Sequence, residues 1–210
     1  MGIVLYDNPA SSNAMKVRFL LAELGLDYER THVPLAHPRP DWYRAVYPFG
    51  TVPFFEDGDL RLGESNAILR YLAGREGRTD LYPTEPAARA AVDWGLDAWS
   101  TQFRGAFFPA ERIGLMAKLI DDGGSRPEDA DPAELAAAID AARPKFDIME
   151  SFVADNGTVV GTFTLADIAF APVLWRWYRL PVSFDAWPKV ALLRDTVTAR
   201  PAFSAMEPRA

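Results

Sequence analysis

The stretch from Gly50 to Leu72 constrains the fold of this chain more than any other. Phe54-Phe55 and Leu60-Arg61-Leu62 read as two short strands, and Glu56-Asp57-Gly58-Asp59 between them holds the Asp-Gly pair of a tight hairpin. Ile68, Tyr71 and Leu72 then recur at i, i+3 and i+4, which marks one face of a helix. Gly63-Glu64-Ser65 falls at the start of that helix. There a hydroxyl and the unpaired N–H groups of a first turn attract an anion. Val52-Pro53 opens the unit, and an X-Pro bond can adopt cis and turn a backbone edge outward.

The segments on either side supply the rest of an α/β unit. Ile3 to Tyr6 is a short apolar strand, and Ser11 to Gly25 is a helix with Val17, Leu20, Leu21 and Leu24 on one face and Gly25 as its stop. Tyr28 to Val33 alternates as a second strand, and a strand–helix–strand connection of this length implies parallel pairing with a right-handed crossover. Residues 34–40 are too rich in proline for regular structure; a short helix is expected over Asp41 to Val46, before the turn Pro48-Phe49-Gly50. The order βαβ–α–ββα matches a thioredoxin-like domain, expected over residues 1–78. Residues 79–86 carry two prolines and no periodicity, as a linker would.

Beyond residue 87 strand patterns almost vanish, and an all-α helical bundle is expected to the end at residue 210. Val92, Leu96, Trp99 and Phe103 form a helical stripe that runs on towards Leu119, and residues 121–130 read as a polar loop. Asp131-Pro132-Ala133-Glu134 has the N-cap, first-turn proline and capping-box glutamate of a helix start. Leu135, Ile139, Ala142, Phe146, Met149 and Val153 continue that helix, with a kink expected at Pro144. Thr164 and Asp167 have capping-box spacing before Ile168.

Charge and cysteine usage narrow the chemistry. The net charge is −7, so neither nucleic acid nor an anionic membrane is an expected partner. No apolar run approaches the ~18 residues of a bilayer span. Residues 1–7 have no basic region before their apolar run, so a strand is expected there instead of a secretion signal, and the cytoplasm is the expected location. There is no cysteine, which removes disulfides, thiolate metal sites and a protein-thiol nucleophile together. His32 and His37 are the only histidines, too few for a His-rich metal site, so no metal is expected. Any thiol chemistry must arrive with a ligand. Gly63-Glu64-Ser65-Asn66-Ala67 has a faint likeness to a hydrolase nucleophile elbow, but that arrangement needs a histidine after the serine, and both histidines precede it.

The run Val52-Pro53 followed by Glu64-Ser65-Asn66-Ala67-Ile68 resembles the glutathione-binding half of the cytosolic glutathione transferases. Thr164-Leu165-Ala166-Asp167 resembles the buried capping motif of that family's C-terminal domain, and Trp187-Pro188 and Arg200-Pro201-Ala202-Phe203 resemble its terminal helices. The resemblance spans nearly the whole chain, with residues 104–130 the least diagnostic. It implies glutathione as co-substrate, a homodimer, and a cis Val52-Pro53 bond whose backbone, with Thr51 beside it, pairs with the cysteinyl part of glutathione. Glu64 and Ser65 would hold the γ-glutamyl end. The glycine carboxylate needs a cation where phi-type transferases carry His-Lys; this chain has His37-Pro38-Arg39, so His37 or Arg39 must serve.

The register of Tyr6 to Val17 is similar to the phi and theta types, which puts the thiol-activating serine at Ser11, with Ser12 and Asn13 as further candidates. Tyr6 is read as core packing. Ser11-Ser12 with Lys16-Val17-Arg18 also resembles the zeta type, the maleylacetoacetate isomerases, although Asn13 and Ala14 replace the last two residues of its Ser-Ser-Cys-Ser pattern. The electrophile pocket is expected along Trp99, Phe103, Phe107 and Phe108, a stripe that would equally serve as core. Three functions follow: conjugation of the glutathione thiolate to a small hydrophobic electrophile, zeta-type isomerisation, or a non-catalytic binding or assembly module.

Overall fold

The computed structural model describes residues 2–116 and 131–206. The loop expected over 121–130 and the end of the stripe towards Leu119 lie outside the described residues. Strand β1 (Ile3–Asp7) pairs parallel with β2 (Tyr28–His32) and antiparallel with β3 (Phe54–Asp57), which pairs antiparallel with β4 (Leu60–Leu62). The sheet order is β2-β1-β3-β4. Helices α1 (Ser12–Glu23), α2 (Asp41–Val46) and α3 (Ser65–Arg75) complete the expected βαβ–α–ββα order.

Local chemistry accounts for the boundaries. Helix α1 stops at Gly25, φ +66°, with the Gly25 N–H on Ala22 O and the Leu26 N–H on Leu21 O, the paired closure that a left-handed residue allows. The β3–β4 turn is Gly58-Asp59, one residue later than the Asp-Gly signal suggests. Asp57 stays in the ladder opposite Leu60, and Gly58, at φ +61°, takes the first turn position.

The second domain is helical. It comprises α4 (Pro86–Ala98), a π-helical turn (Trp99–Phe103), α5 (Arg104–Glu111), a second π turn (Arg112–Met116), α6 (Pro132–Phe152), α7 (Leu165–Trp177), α8 (Pro188–Thr198) and a terminal 3-10 segment (Pro201–Ala205). Pro86, read as linker, is the first residue of α4, and the Glu85 carboxylate caps it by accepting from the Ala87 and Ala88 N–H groups at 3.0 and 2.7 Å. Helix α6 carries Pro144 inside it and remains one element.

Every residue of α7 is buried, as expected of a helix that is apolar nearly all round and lies at the centre of a core. It packs on α1 and α4, so one apolar cluster runs from Leu5 and Phe55 of the sheet through Phe19 and Leu20 of α1 to Phe170 and Trp177 of α7. The start of α7 is polar and closed. Thr164 and Asp167 form the capping box, and the Asp167 carboxylate also accepts from the Val159 N–H at 2.8 Å. Asp167→Ala would leave the Val159 and Thr164 amides buried and unpartnered. A loss of about 2–4 kcal/mol of folding stability is expected, read as a lower denaturant midpoint with an unchanged slope.

Candidate functional site

The site is built where the turn before α1 meets the turn before β3. Asn8 shapes the first turn: its amide donates to Val33 O at 2.9 Å, and its side-chain carbonyl accepts from the Ala10 N–H at 2.9 Å. Ser11 is the N-cap of α1, accepting from the Ala14 N–H at 3.3 Å, while its hydroxyl donates to the Val52 carbonyl at 3.5 Å, a long and weak bond. The cap of α1 therefore abuts the backbone of the Val52-Pro53 turn. That bond is cis, and so is His37-Pro38.

The second turn is held from behind. The Tyr43 hydroxyl donates to Thr51 O at 2.5 Å, and Arg39 donates from Nε to Gly50 O and from Nη1 to Ala36 O, both at 3.0 Å. Arg39 is half-buried, while His37 lies exposed in the same loop. Tyr6 packs its ring on Tyr43 and Phe54, and its hydroxyl faces Glu56 at 3.4 Å; burial and that carboxylate raise its titration, which fits packing better than thiol activation.

The start of α3 is the other half. Gly63 lies so close to Tyr47 that a Cβ there would fall 2.0 Å from the tyrosine oxygen, so a larger residue would have to displace that ring. Glu64 follows at φ +59° and ψ 107°, the one non-glycine residue with positive φ among the described residues. Strain of this kind persists where the surroundings over-determine a conformation, commonly at ligand sites. It leaves the Glu64 side chain exposed and Ser65, 6% exposed, as the first helical residue.

Lys16 joins the two helix starts. Its ammonium is fully buried and donates to Asn66 Oδ1 at 2.6 Å; the Asn66 amide in turn donates to Leu96 O at 2.8 Å and Ser100 Oγ at 3.0 Å. Burial, followed by the nearby Arg104 guanidinium, pushes the Lys16 titration down to about 7. In the sequence, Lys16 and Asn66 stand out only as parts of motifs. A signal was present, because a charged residue inside an otherwise apolar helix stretch needs a partner.

Of the thiol candidates, Ser11 and Asn13 are half-buried at the start of α1, whereas the Ser12 hydroxyl is buried and unpartnered among the described residues. The aromatic stripe is largely buried. Trp99, Phe103 and Phe107 are exposed by only 1%, 2% and 0%. They stack with one another and with Phe146, Phe170 and Trp177, as apolar rings do when an inward-facing stripe meets a buried helix. Among the described residues they pack as core. Phe108 alone of the four is half-buried, with the Arg104 guanidinium 4.1 Å from its ring centre.

Known proteins share this fold. Residues 5–80 match the family profile described as the glutathione S-transferase N-terminal domain, and residues 111–201 match that of the glutathione S-transferase C-terminal domain. The chain is 36% identical to glutathione S-transferase 3 of Zea mays over 95% of its own length and 90% of the relative's. It is 30% identical to glutathione S-transferase GstB of Escherichia coli K12 over 95% of both. Among solved structures, the theta class glutathione S-transferase of Xanthomonas axonopodis pv. citri with glutathione bound superposes with a TM-score of 0.86 at 28% identity, covering 100% of this chain and 99% of that one.

The strained backbone at residue 64 yields a test of geometry alone. Glu64→Gly is expected to raise stability by up to about 1 kcal/mol, because glycine adopts positive φ without a Cβ penalty. Glu64→Ala keeps the strain and should bring no gain; paired denaturant titrations measure the difference.

Proposed function

This chain belongs to the glutathione S-transferase family, and on that premise we propose that it joins the thiolate of glutathione to a small hydrophobic electrophile, with the Ser11 hydroxyl stabilising the sulfur. The observation that carries the reading is the Ser11 hydroxyl at the cap of α1, 3.5 Å from the Val52 carbonyl. A cysteinyl backbone paired along Thr51, Val52 and Pro53 would set its sulfur beside that hydroxyl. The bond to Val52 is weak enough for the hydroxyl to turn to a thiolate without loss.

The energetics are within reach of these groups. A free thiol with pKa ~8.5 is only about 3% ionised near pH 7. Lowering that value by ~2 units needs ~2.7 kcal/mol of selective stabilisation. One charged hydrogen bond and a helix N-terminus supply on the order of 1–2 kcal/mol each. Activation is then electrostatic, with no covalent enzyme intermediate and no metal.

The remaining roles follow from position. Ser65 and the free N–H groups of the first turn of α3 take the γ-glutamyl carboxylate, and exposed Glu64 takes its ammonium. Arg39 supplies the cation for the glycine carboxylate better than His37, being anchored next to the Thr51 turn by Gly50 O. Phe108 under Arg104 serves the electrophile. The glutathione-binding unit is taken as residues 1–78, joined by 79–85 to the helical unit that begins with α4 at Pro86. Phe49, 82% exposed next to Tyr47, and Trp42, 47% exposed, are apolar side chains that a second copy would cover, in keeping with a homodimer.

Ser11→Ala removes the hydrogen bond but keeps the helix terminus, so kcat/KM for conjugation of a chloronitroaromatic should fall about 2- to 8-fold while the affinity for glutathione stays within a few-fold. Loss of the cap also lowers stability by about 1 kcal/mol. Difference absorbance in the thiolate band should fall in step with the activity; full turnover in the variant overturns the role. Turnover of a cis-dienoic diacid in place of conjugation would favour the isomerase.

A further inference from the structure

Lys16 has no task in the reaction as described, yet its placement is costly. An ammonium with no exposed surface needs compensating charge. Among the described residues no carboxylate stands within ion-pairing distance of Lys16, and its one hydrogen bond runs to the neutral Asn66 carbonyl.

The charges facing it come from every element packed on α1. From the α3 side, Glu64 favours its protonation and Arg70 opposes it, although Arg70 is already paired with Asp93 and Asp97 of α4. From α5, Arg104 opposes it. From α7, Arg176 meets the turn before α1 at Ala10 O and α1 itself at the Met15 sulfur, and is paired with Glu111. Within α1, Arg18 is bound to Asp7. The terminal segment Pro201–Ala205 brings no charge. Counted together these groups balance, but Arg18, Arg70 and Arg176 are each paired with carboxylates, which leaves Arg104 opposing the Lys16 charge and exposed Glu64 favouring it without an ion-pairing contact.

We propose that Lys16 is a buried counter-cation for bound glutathione, gaining a proton as the ligand's anionic groups settle at the starts of α1 and α3, so that affinity falls as pH rises through neutrality. The role rests on the glutathione reading of Ser11 and Ser65. Its sign follows from linkage. An anion placed near Lys16 favours the charged amine and raises its titration midpoint, and by reciprocity the protonated amine binds the ligand more tightly. Below the free-state midpoint, about 7, the amine is already charged and binding requires no proton. Above it, binding must draw one from solution.

Calorimetry of S-methylglutathione binding separates the two readings, because that ligand has no ionisable thiol and any proton exchanged belongs to another group. At pH 7.5, titrations in PIPES and in Tris, which differ in heat of ionisation, should show uptake on the order of half a proton per site. If the bound midpoint rises by about 1.5 pH units, affinity should fall about tenfold between pH 6 and 8.5. Lys16→Arg keeps its charge throughout, so it should bind without uptake and with a flat pH profile. Lys16→Met should lose both the uptake and much of the affinity. Binding by the wild type without proton uptake overturns the role of Lys16, as does uptake that persists in Lys16→Arg. The wild-type result decides even if Lys16→Met does not fold. Absence of binding heat at every pH overturns the glutathione reading, and Lys16's role with it.

Discussion

Two buried guanidiniums hold the entry to α1. Arg18 grips both Asp7 carboxylate oxygens at 2.8 and 2.7 Å and reaches the Asn8 and Pro9 carbonyls at 3.5 and 3.4 Å. Arg176 takes the Ala10 carbonyl and pairs with Glu111 at 2.7 Å. Three consecutive carbonyls are thereby drawn towards cations. Ser11 is left at the cap, with the N–H groups of the first turn ahead of it. Removing one partner of such a buried pair typically costs 3–5 kcal/mol, since the other charge stays buried alone. The same contacts join the domains. Arg176 belongs to α7, and Arg18 also donates to Met206 O at 2.9 Å near the end of the described chain.

The geometry of the second turn depends on this anchoring. The Val52 backbone has a partner in Ser11 only because the 8–11 turn is held against it, and Thr51 and Gly50 are fixed from the other side by Tyr43 and Arg39. Helices α1 and α3 then present their positive ends close together, linked by Lys16 and Asn66. Two helix starts and the buried Lys16 ammonium create a region that favours negative charge. A thiolate and a carboxylate on one small peptide match it.

The helical domain contributes rigidity more than contact. Trp99, Phe103 and Phe107 fill the space between α5, α6 and α7, so the domain core and the inward face of α5 are one structure. The π turns on either side of α5 alter the helical phase there, shifting which residues a 3.6-residue repeat assigns to the inward face. Phe108 remains at the edge, and Arg104 covers it.

Much of this was readable from residue order because it is set locally. The Schellman stop at Gly25, the Thr164–Asp167 cap, the hairpin and the Val-Pro turn depend on backbone chemistry within a few residues, and pattern reports them directly. The mixed sheet followed from strand order and connection length for the same reason. Other features were decided only by tertiary packing. Periodicity says which residues share a face, not what that face meets, so it left Trp99, Phe103 and Phe107 equally suited to cleft or core until α6 and α7 closed over them. Adjacent serines look alike in a string, yet one caps a helix beside Val52 and the other turns inward. Lys16 shows the limit most clearly: its charge is written in the sequence, but the burial that brings its titration near neutrality comes from elements far along the chain.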